Sequence, residues 1–587
     1  MNVMHNFPPG AVLIVGALCL PLLPKRSRAT AFLIFPVLAF ALLLVLETGT
    51  SFAVSFLNYK LVLTRVDRLS LAFGYVFTIV TCLGGIYAFH LKETGQQVAA
   101  LWYAGSALGV VFAGDLFTLY VFWEMMAISS VYLIWARRSH ESSKAGTRYI
   151  LVHIFGGSML LAGILWHLGD TGSLAFNRLE AGPAVYFILF GFALNAAVPP
   201  LHAWLPDAYP EGTVTGSVFL SAFTTKAAVY VLARGFAGWE ILMWAGVFMA
   251  VYGVVFAFLE NDIRRILGYH IISQVGYMVT GVGLGTEAAI NGATAHAFAH
   301  ILYKGLLFMG AGTVLYTTGR SKLTELGGLS RAMPLVLLLY MVGALSISGF
   351  PLSSGFVSKS LVIHAAELSH QDAVFLLLTV ASVGTFLSIG LKLPYFTWFG
   401  PNRSLEPTPV PWGMYVGMIL AGAINVAIGV YPELLYAVMP FPVHYRPYNP
   451  SHLMETIQLL TFTGLAFWLL IGKIQCKSTI TLDFDWFYRK PAGMVYDVAV
   501  GSVNRIFDVT ESLGLRFVRT LARLSIDPVG HFLPPVNLLG SRGWESHQEG
   551  SRPRLYDPDY YRLPVGVIIL VLLLSFVVLL AWDLSSS

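Results

Sequence analysis

The chain has 587 residues, 56% of them hydrophobic and 11% charged, with a formal net charge of +5 and a mean hydropathy of +0.70. A soluble chain carries about 25% charged residues, so the composition excludes a soluble globular protein and leaves an all-α polytopic membrane protein. The basic residues form no nucleic-acid-binding face; they sit in short loops between apolar runs, where they set topology.

Runs apolar and long enough to cross a hydrocarbon core of roughly 30 Å fall at 9–24, 29–47, 68–90, 98–113, 115–135, 149–168, 183–200, 216–235, 240–259, 266–285, 289–316, 333–365, 372–398, 410–432, 453–473 and 563–582, about sixteen predicted spans. The first run precedes Lys25, Arg26 and Arg28, the reverse of a signal peptide's order, and reads as a retained helix. Gly114-Asp115 divides the apolar stretch 98–135. The loops holding Arg137, Arg138, Lys144 and Arg148, then Arg264 and Arg265, then Arg320, Lys322 and Arg331 share one side, which predicts an N-terminus facing away from the cytoplasm. Lys60, Arg65 and Arg68 fall on the opposite side and violate that bias.

Two spans carry proline where a helix would lose a backbone bond: Pro199-Pro200, and Pro351 inside GFPLSSGF. Broken helices at membrane depth line hydrated cavities, and one break in each half is a mark of inverted-repeat transporters. The predicted division is 1–97 as N-terminal helices, 98–235 and 236–398 as two repeats, and 399–475 as C-terminal core helices. Beyond these, 476–562 forms a polar and amphipathic segment with a linker, and 563–587 a final anchor. Within 492–530, Val500, Val503, Ile506 and Phe507 alternate with Arg505, Asp508 and Glu511 at helical spacing. Such a segment lies along a membrane, packs as a helix beside it, or serves as a linker.

The residues that carry chemistry are charges inside apolar spans. Glu124 stands alone in LFTLYVFWEMMAISSVYLI, where a charge costs about 2.5–3.5 kcal/mol on insertion scales and persists when it faces water or a partner charge. Lys226, Lys359 and Lys392 lie in later spans, and His153 in the sixth. His296, His300 and Lys304 recur every four residues, drifting about 40° and rising about 6 Å per step, so they form one stripe along a helix. Titratable groups in a stripe suit a proton relay, whereas Lys392 lies near a span end and is expected to snorkel to the interface. Cys19, Cys82 and Cys476 are isolated, Gly281-Val-Gly283-Leu-Gly285 follows no strand, and no metal cage or cofactor motif is present.

The segments DLFTLYVFWE, PLHAWLPDAYPEGTVTGSVFLSAFTTKAAVYVL, NDIRRILGYHIISQVGYM, AHAFAHILYKGLLFMGAGTVL and GFPLSSGFVSKSLVI together resemble the antiporter-like membrane subunits shared by Mrp-type Na+/H+ antiporters, respiratory complex I (NADH–quinone oxidoreductase) and membrane-bound hydrogenases. The likeness covers about residues 60–435, and the DFDWFYRK segment is most similar to the D-type subunits of the Mrp branch. It implies about fourteen core transmembrane helices, two inverted five-helix repeats with one broken helix each, and a central hydrophilic axis. It further implies that Glu124 pairs with a lysine of the first broken helix. Lys226 then links that pair to His296, His300 and Lys304, and Lys359 stands at the far end. The lysine position falls on Asn195, which cannot change charge, so Glu124 is expected to take Lys226 as its counter-charge or to be protonated.

The expected function is a multi-pass subunit of the cell's inner (plasma) membrane that moves protons within a larger membrane complex, with Na+ as a candidate counter-ion. That complex is an antiporter, or a proton-translocating redox assembly to which this chain contributes no redox site and no cofactor. The rival expectation, drawn from Asn195 and the long C-terminal segment, is a scaffold or coupling subunit with an inactive or partial channel.

Overall fold

The computed structural model describes residues 8–56, 59–474, 483–526 and 565–586. These fall into two compact units divided at Asp485 and Trp486. Each predicted span coincides with a helix or a pair of helices. Among the described residues ten helical stretches are long and apolar enough to cross a membrane, and four shorter apolar helices accompany them.

The first unit opens with α1 (Pro9–Cys19) and α2 (Arg28–Val45), followed by an antiparallel hairpin of β1 (Ser51–Phe56) and β2 (Tyr59–Arg65) where the sequence reads as a loop. Two of the three basic residues on the unexpected side, Arg65 at the end of the hairpin and Arg68 at the start of the next helix, are held by the core. Arg65 donates to the Phe176 carbonyl at 2.9 Å and to Asn177 at 3.0 Å, and Arg68 donates to the Ala437 carbonyl at 3.1 Å. These arginines fasten the surface loops of the core, which compensates for their breach of the charge bias.

Next come α3 (Arg68–Tyr87), α4 (Thr94–Phe112), α5 (Leu116–Trp135) and α6 (His140–Thr171). The break at Gly114-Asp115 is present. Asp115 caps α5 by accepting from the Thr118 amide at 2.7 Å, and its other oxygen accepts from the Val62 amide at 2.7 Å, so one carboxylate starts a helix and holds the hairpin. The sixth span begins nine residues before its apolar run, because Ser139 and Ser142 form a reciprocal cap that nucleates the helix in polar sequence.

The first broken span is α7 (Pro183–Asn195) and α8 (Trp204–Ala208), separated by an irregular segment holding Pro199 and Pro200. The indole of Trp204 donates to the Leu194 carbonyl at 3.0 Å, satisfying an acceptor that the break frees. The next span, α9 (Gly216–Ala222) and α10 (Thr224–Gly235), is interrupted at Phe223, an interruption that apolar periodicity does not reveal. Both pieces are buried apart from the half-buried Arg234, as is nearly all of α13 (Glu287–Thr318). Glycines and alanines along α13, including Gly292, Ala293, Ala297 and Gly310, let its neighbours approach closely.

Helices α11 (Glu240–Leu259) and α12 (Ile263–Leu284) precede α13. Gly285 ends α12 at a φ of +70°, where a Cβ would collide with the Gly238 backbone. The second broken span is α14 (Pro334–Ser348) and α15 (Ser354–Leu368), parted at Gly349 to Ser353 around Pro351. The unit continues with α16 (Asp372–Thr385) and two π-helical segments, Phe386–Lys392 and Tyr395–Phe399. It closes with α17 (Trp412–Val430), the short α18 (Glu433–Tyr436) and α19 (Pro450–Leu470).

The second unit holds α20 (Asp485–Ile526), a single helix of 42 residues, and α21 (Val565–Ser586). Val495, Val503, Phe507 and Phe517 of α20 are exposed, so the amphipathic pattern of 492–530 is helical as far as Ile526. The predicted linker around Pro534-Pro535 and 541–558, together with Cys476, lies outside the described residues.

Candidate functional site: a buried polar axis with unlike halves

The stripe on α13 is fully buried: His296, His300 and Lys304 are each 0% exposed. His296 meets α15 through Ser358, with Nδ1 and Oγ 3.1 Å apart, one residue from Lys359. Lys359 Nζ donates to the Ile347 carbonyl at 2.6 Å and to Ser382 Oγ at 3.3 Å, and it lies 5.4 Å from the centre of the Tyr277 ring. The second break therefore frees a carbonyl that a cation takes up, which anchors the lysine at the end of a half-helix. Neither nitrogen of His300, nor Lys304 Nζ, has a hydrogen-bond partner among the described residues. Buried polar groups without a protein partner are the ones that water bridges.

Lys359 opens onto a cavity of about 280 Å³ between α15, α16 and α19, lined also by Ser382, His364, Glu367, His452 and Glu455. The cavity runs from the buried ammonium to the His364–Glu367 pair, whose side chains are 35% and 65% exposed and 3.1 Å apart. It gives the buried lysine a polar way out of the core.

Lys226 lies at the interruption between α9 and α10 and repeats the same device. Its Nζ donates to the Ser221 carbonyl at 2.6 Å and to Thr225 Oγ1 at 3.1 Å. It is close enough to act electrostatically on His300, as are Lys304 and Lys359. The expected ion pair with Glu124 is not formed; the buried Ser221 carbonyl at the interruption takes the ammonium instead. Lys392 departs from expectation too. It is only 3% exposed, and its Nζ donates to the carbonyls of Phe258 and Glu260 at the end of α11, so it caps a helix instead of reaching the interface.

The first half is built differently. The Glu124 carboxylate packs against Gly157 of α6, where any Cβ would collide with Oε1, and Oε1 has no hydrogen-bond partner among the described residues. His153 is buried, its Nδ1 2.8 Å from the Tyr149 carbonyl. Its ring stacks on Tyr149 with centroids 4.0 Å apart and meets Trp204 edge-on at 4.6 Å. Asn195 ends α7, is 1% exposed, and has neither its amide oxygen nor its amide nitrogen bonded to a described residue.

Sequence reasoning missed a second pair at the first break. His202, between α7 and α8, has Nε2 3.1 Å from Asp483 Oδ1, with the two side chains 0% and 3% exposed. The same carboxylate accepts from Tyr269 at 2.7 Å and from Tyr252. Burial alone would raise the Asp483 pKa, but the bonds from His202, Tyr252 and Tyr269 overcome it and hold the group at about 2. Asp483 is therefore ionised at neutral pH. The signals in the sequence were a histidine two residues after the paired prolines and the DFDWFYRK segment, which Asp483 opens, with nothing to join the two.

A family profile described as NADH:quinone oxidoreductase/Mrp antiporter, TM, matches residues 113–388, which hold Glu124, Asn195, the α13 stripe and Lys359. NADH-quinone oxidoreductase subunit N of Desulforudis audaxviator is 34% identical over 343 residues, covering 54% of this chain and 67% of that protein. The D component of the Na(+)/H(+) antiporter of Alkalihalophilus pseudofirmus is 32% identical over 320 residues, covering 51% of this chain and 64% of that protein. A chain in the structure of the Mrp complex from Dietzia sp. superposes with a TM-score of 0.67 at 22% identity, covering 78% of this chain and 100% of that chain, which shows a shared fold. The chain thus belongs to the family of antiporter-like membrane subunits found in NADH–quinone oxidoreductases and Mrp-type antiporters.

Proposed function

We infer that this chain is a proton-translocating subunit of a multisubunit complex in the plasma membrane, and that protons travel along Lys226, His300, Lys304, His296 and Lys359. The observation that carries the reading is the α13 stripe, buried, titratable and continuous through Ser358 to a lysine that opens on a polar cavity. Its unpartnered histidine and lysine nitrogens suit groups that exchange protons with water, and neighbouring cations in a low-dielectric interior push a mobile proton onward. Glu124 belongs to the same route at the first half, and Na+ is a candidate counter-ion. Residues 98–235 and 236–398 act as two inverted repeats. Helices α6 and α13 are each 32 residues long, Asp115 and Asp262 cap the helices before them, and a broken span follows each.

A purely structural role is not favoured, since a scaffold has no use for three buried titratable groups in one line. The test is proton uptake in inverted membrane vesicles carrying the assembled complex. Lys304→Ala is expected to reduce uptake about a hundredfold, in the range of a lost proton-transfer group, with the complex intact on native gels. Unchanged uptake in the assembled variant would reject the reading.

A further inference from the structure

The first break holds no titratable lysine, since Asn195 occupies the end of α7, yet it holds a histidine in a built setting. His202 is buried and bonded through Nε2 to Asp483, while its Nδ1 is buried and has no partner among the described residues. The carboxylate is fixed in turn from three directions: by Tyr252 of α11, by Tyr269 of α12 at 2.7 Å, and by the Phe484 amide at 2.6 Å. Asp483 follows α19 and is 281 residues from His202 in sequence.

We propose that Asp483 is a positioning residue for His202, and that this pair is the proton-handling group of the first break. With Nε2–H donated to the carboxylate, the neutral imidazole presents its lone pair at Nδ1, toward the interior. A proton taken up at Nδ1 makes an imidazolium whose charge Asp483 balances, and release from the same nitrogen restores the neutral ring. No bond other than N–H forms or breaks. Asp483 thereby supplies both the orientation and the counter-charge of the histidine at the break. The other charged or titratable groups around the pair are Tyr252 on α11, Tyr269 and Arg265 on α12, and Glu260, which forms an ion pair with Arg265 at 3.3 Å. On α8, Asp207 is engaged by Arg148 of α6 at 2.7 Å.

This inference rests on the translocation reading, and the two fail differently. Proton uptake is measured from pH 6 to 9 in vesicles carrying the assembled complex with Asp483→Asn, His202→Gln or both. Asp483→Asn is expected to slow uptake roughly tenfold and to move the histidine limb of the pH profile down by about one unit, since loss of an adjacent anion disfavours the imidazolium. His202→Gln removes that limb, and the double variant is no slower than His202→Gln alone. Additive losses, or uniform slowing with an unshifted profile, would overturn the proposal and leave Asp483 a mere latch. Should Asp483→Asn fail to assemble, His202→Gln decides alone: a lost limb supports the pair and an unchanged profile rejects it. Failure here with Lys304→Ala still inactive leaves the translocation reading standing.

Discussion

Helices α6 and α13 have the same length, and counted from their first residues, His140 and Glu287, they set Tyr149, His153 and Gly157 in the register of His296, His300 and Lys304. The same stripe is written twice with different chemistry. On α13 it holds three titratable groups. On α6 the outer two are a tyrosine and a glycine, and the bare surface at Gly157 receives the carboxylate of Glu124. A lysine side chain in one half is thus answered by the space for a glutamate in the other. The breaks differ in parallel: a cation, Lys359, caps the severed α14, whereas the neutral indole of Trp204 caps the severed α7 beside an unpartnered Asn195. The two halves thus keep the same helix geometry while placing their charges differently.

The largest expected effect tests the charged half. Lys359→Ala removes the group that joins the stripe to the cavity and should lower proton uptake about a hundredfold, with assembly retained; uptake near wild type would detach the cavity from the route. A smaller effect tests the neutral half through its glycine. Gly157→Ala forces the Glu124 carboxylate aside and should slow uptake about tenfold, whereas Gly305→Ala, whose added methyl meets nothing closer than 3.8 Å, should change it little. Equal effects of the two alanines would show that Glu124 does not depend on its seat.

Asn195→Lys restores a titratable group to the end of α7. If Glu124 and His202 already serve the first half, uptake should stay within about threefold of wild type; a gain of tenfold would mean that this half is idle as it stands. Lys392→Met should leave uptake unchanged at every pH and lower thermal stability of the complex by about 1–3 kcal/mol, the cost of carbonyls that lose a buried donor. A transport defect without a stability loss would return Lys392 to the axis.

Much of this was legible because membrane sequence is nearly binary. Charges are so scarce in apolar spans that Glu124, Lys226, the α13 stripe and Lys359 stand out unaided, and paired prolines mark a break whatever surrounds them. What stayed hidden has a physical cause in each case. The hairpin 51–65 is too short for periodicity to separate from a loop. The interruption at Phe223 contains neither glycine nor proline, and threonines with an interior lysine supply the alternative hydrogen bonds instead. Within the stripe the likeness of α6 to α13 is reduced to one shared histidine, His153 with His300, since the positions on either side of it carry different chemistry in the same register. The His202–Asp483 pair joins a helix break to a segment past the last core helix, a contact that tertiary structure alone creates.

The most direct measurement compares the one residue common to both stripes. Proton uptake by the assembled complex is followed in inverted vesicles with His300→Gln and, separately, with His153→Gln. His300 has two unbonded nitrogens among cations, while His153 is held by Tyr149 and enclosed by aromatic rings. The expected result is near-complete loss with His300→Gln and at most a few-fold loss with His153→Gln. Equal losses, or a greater loss at His153, would contradict the assignment of the route to α13.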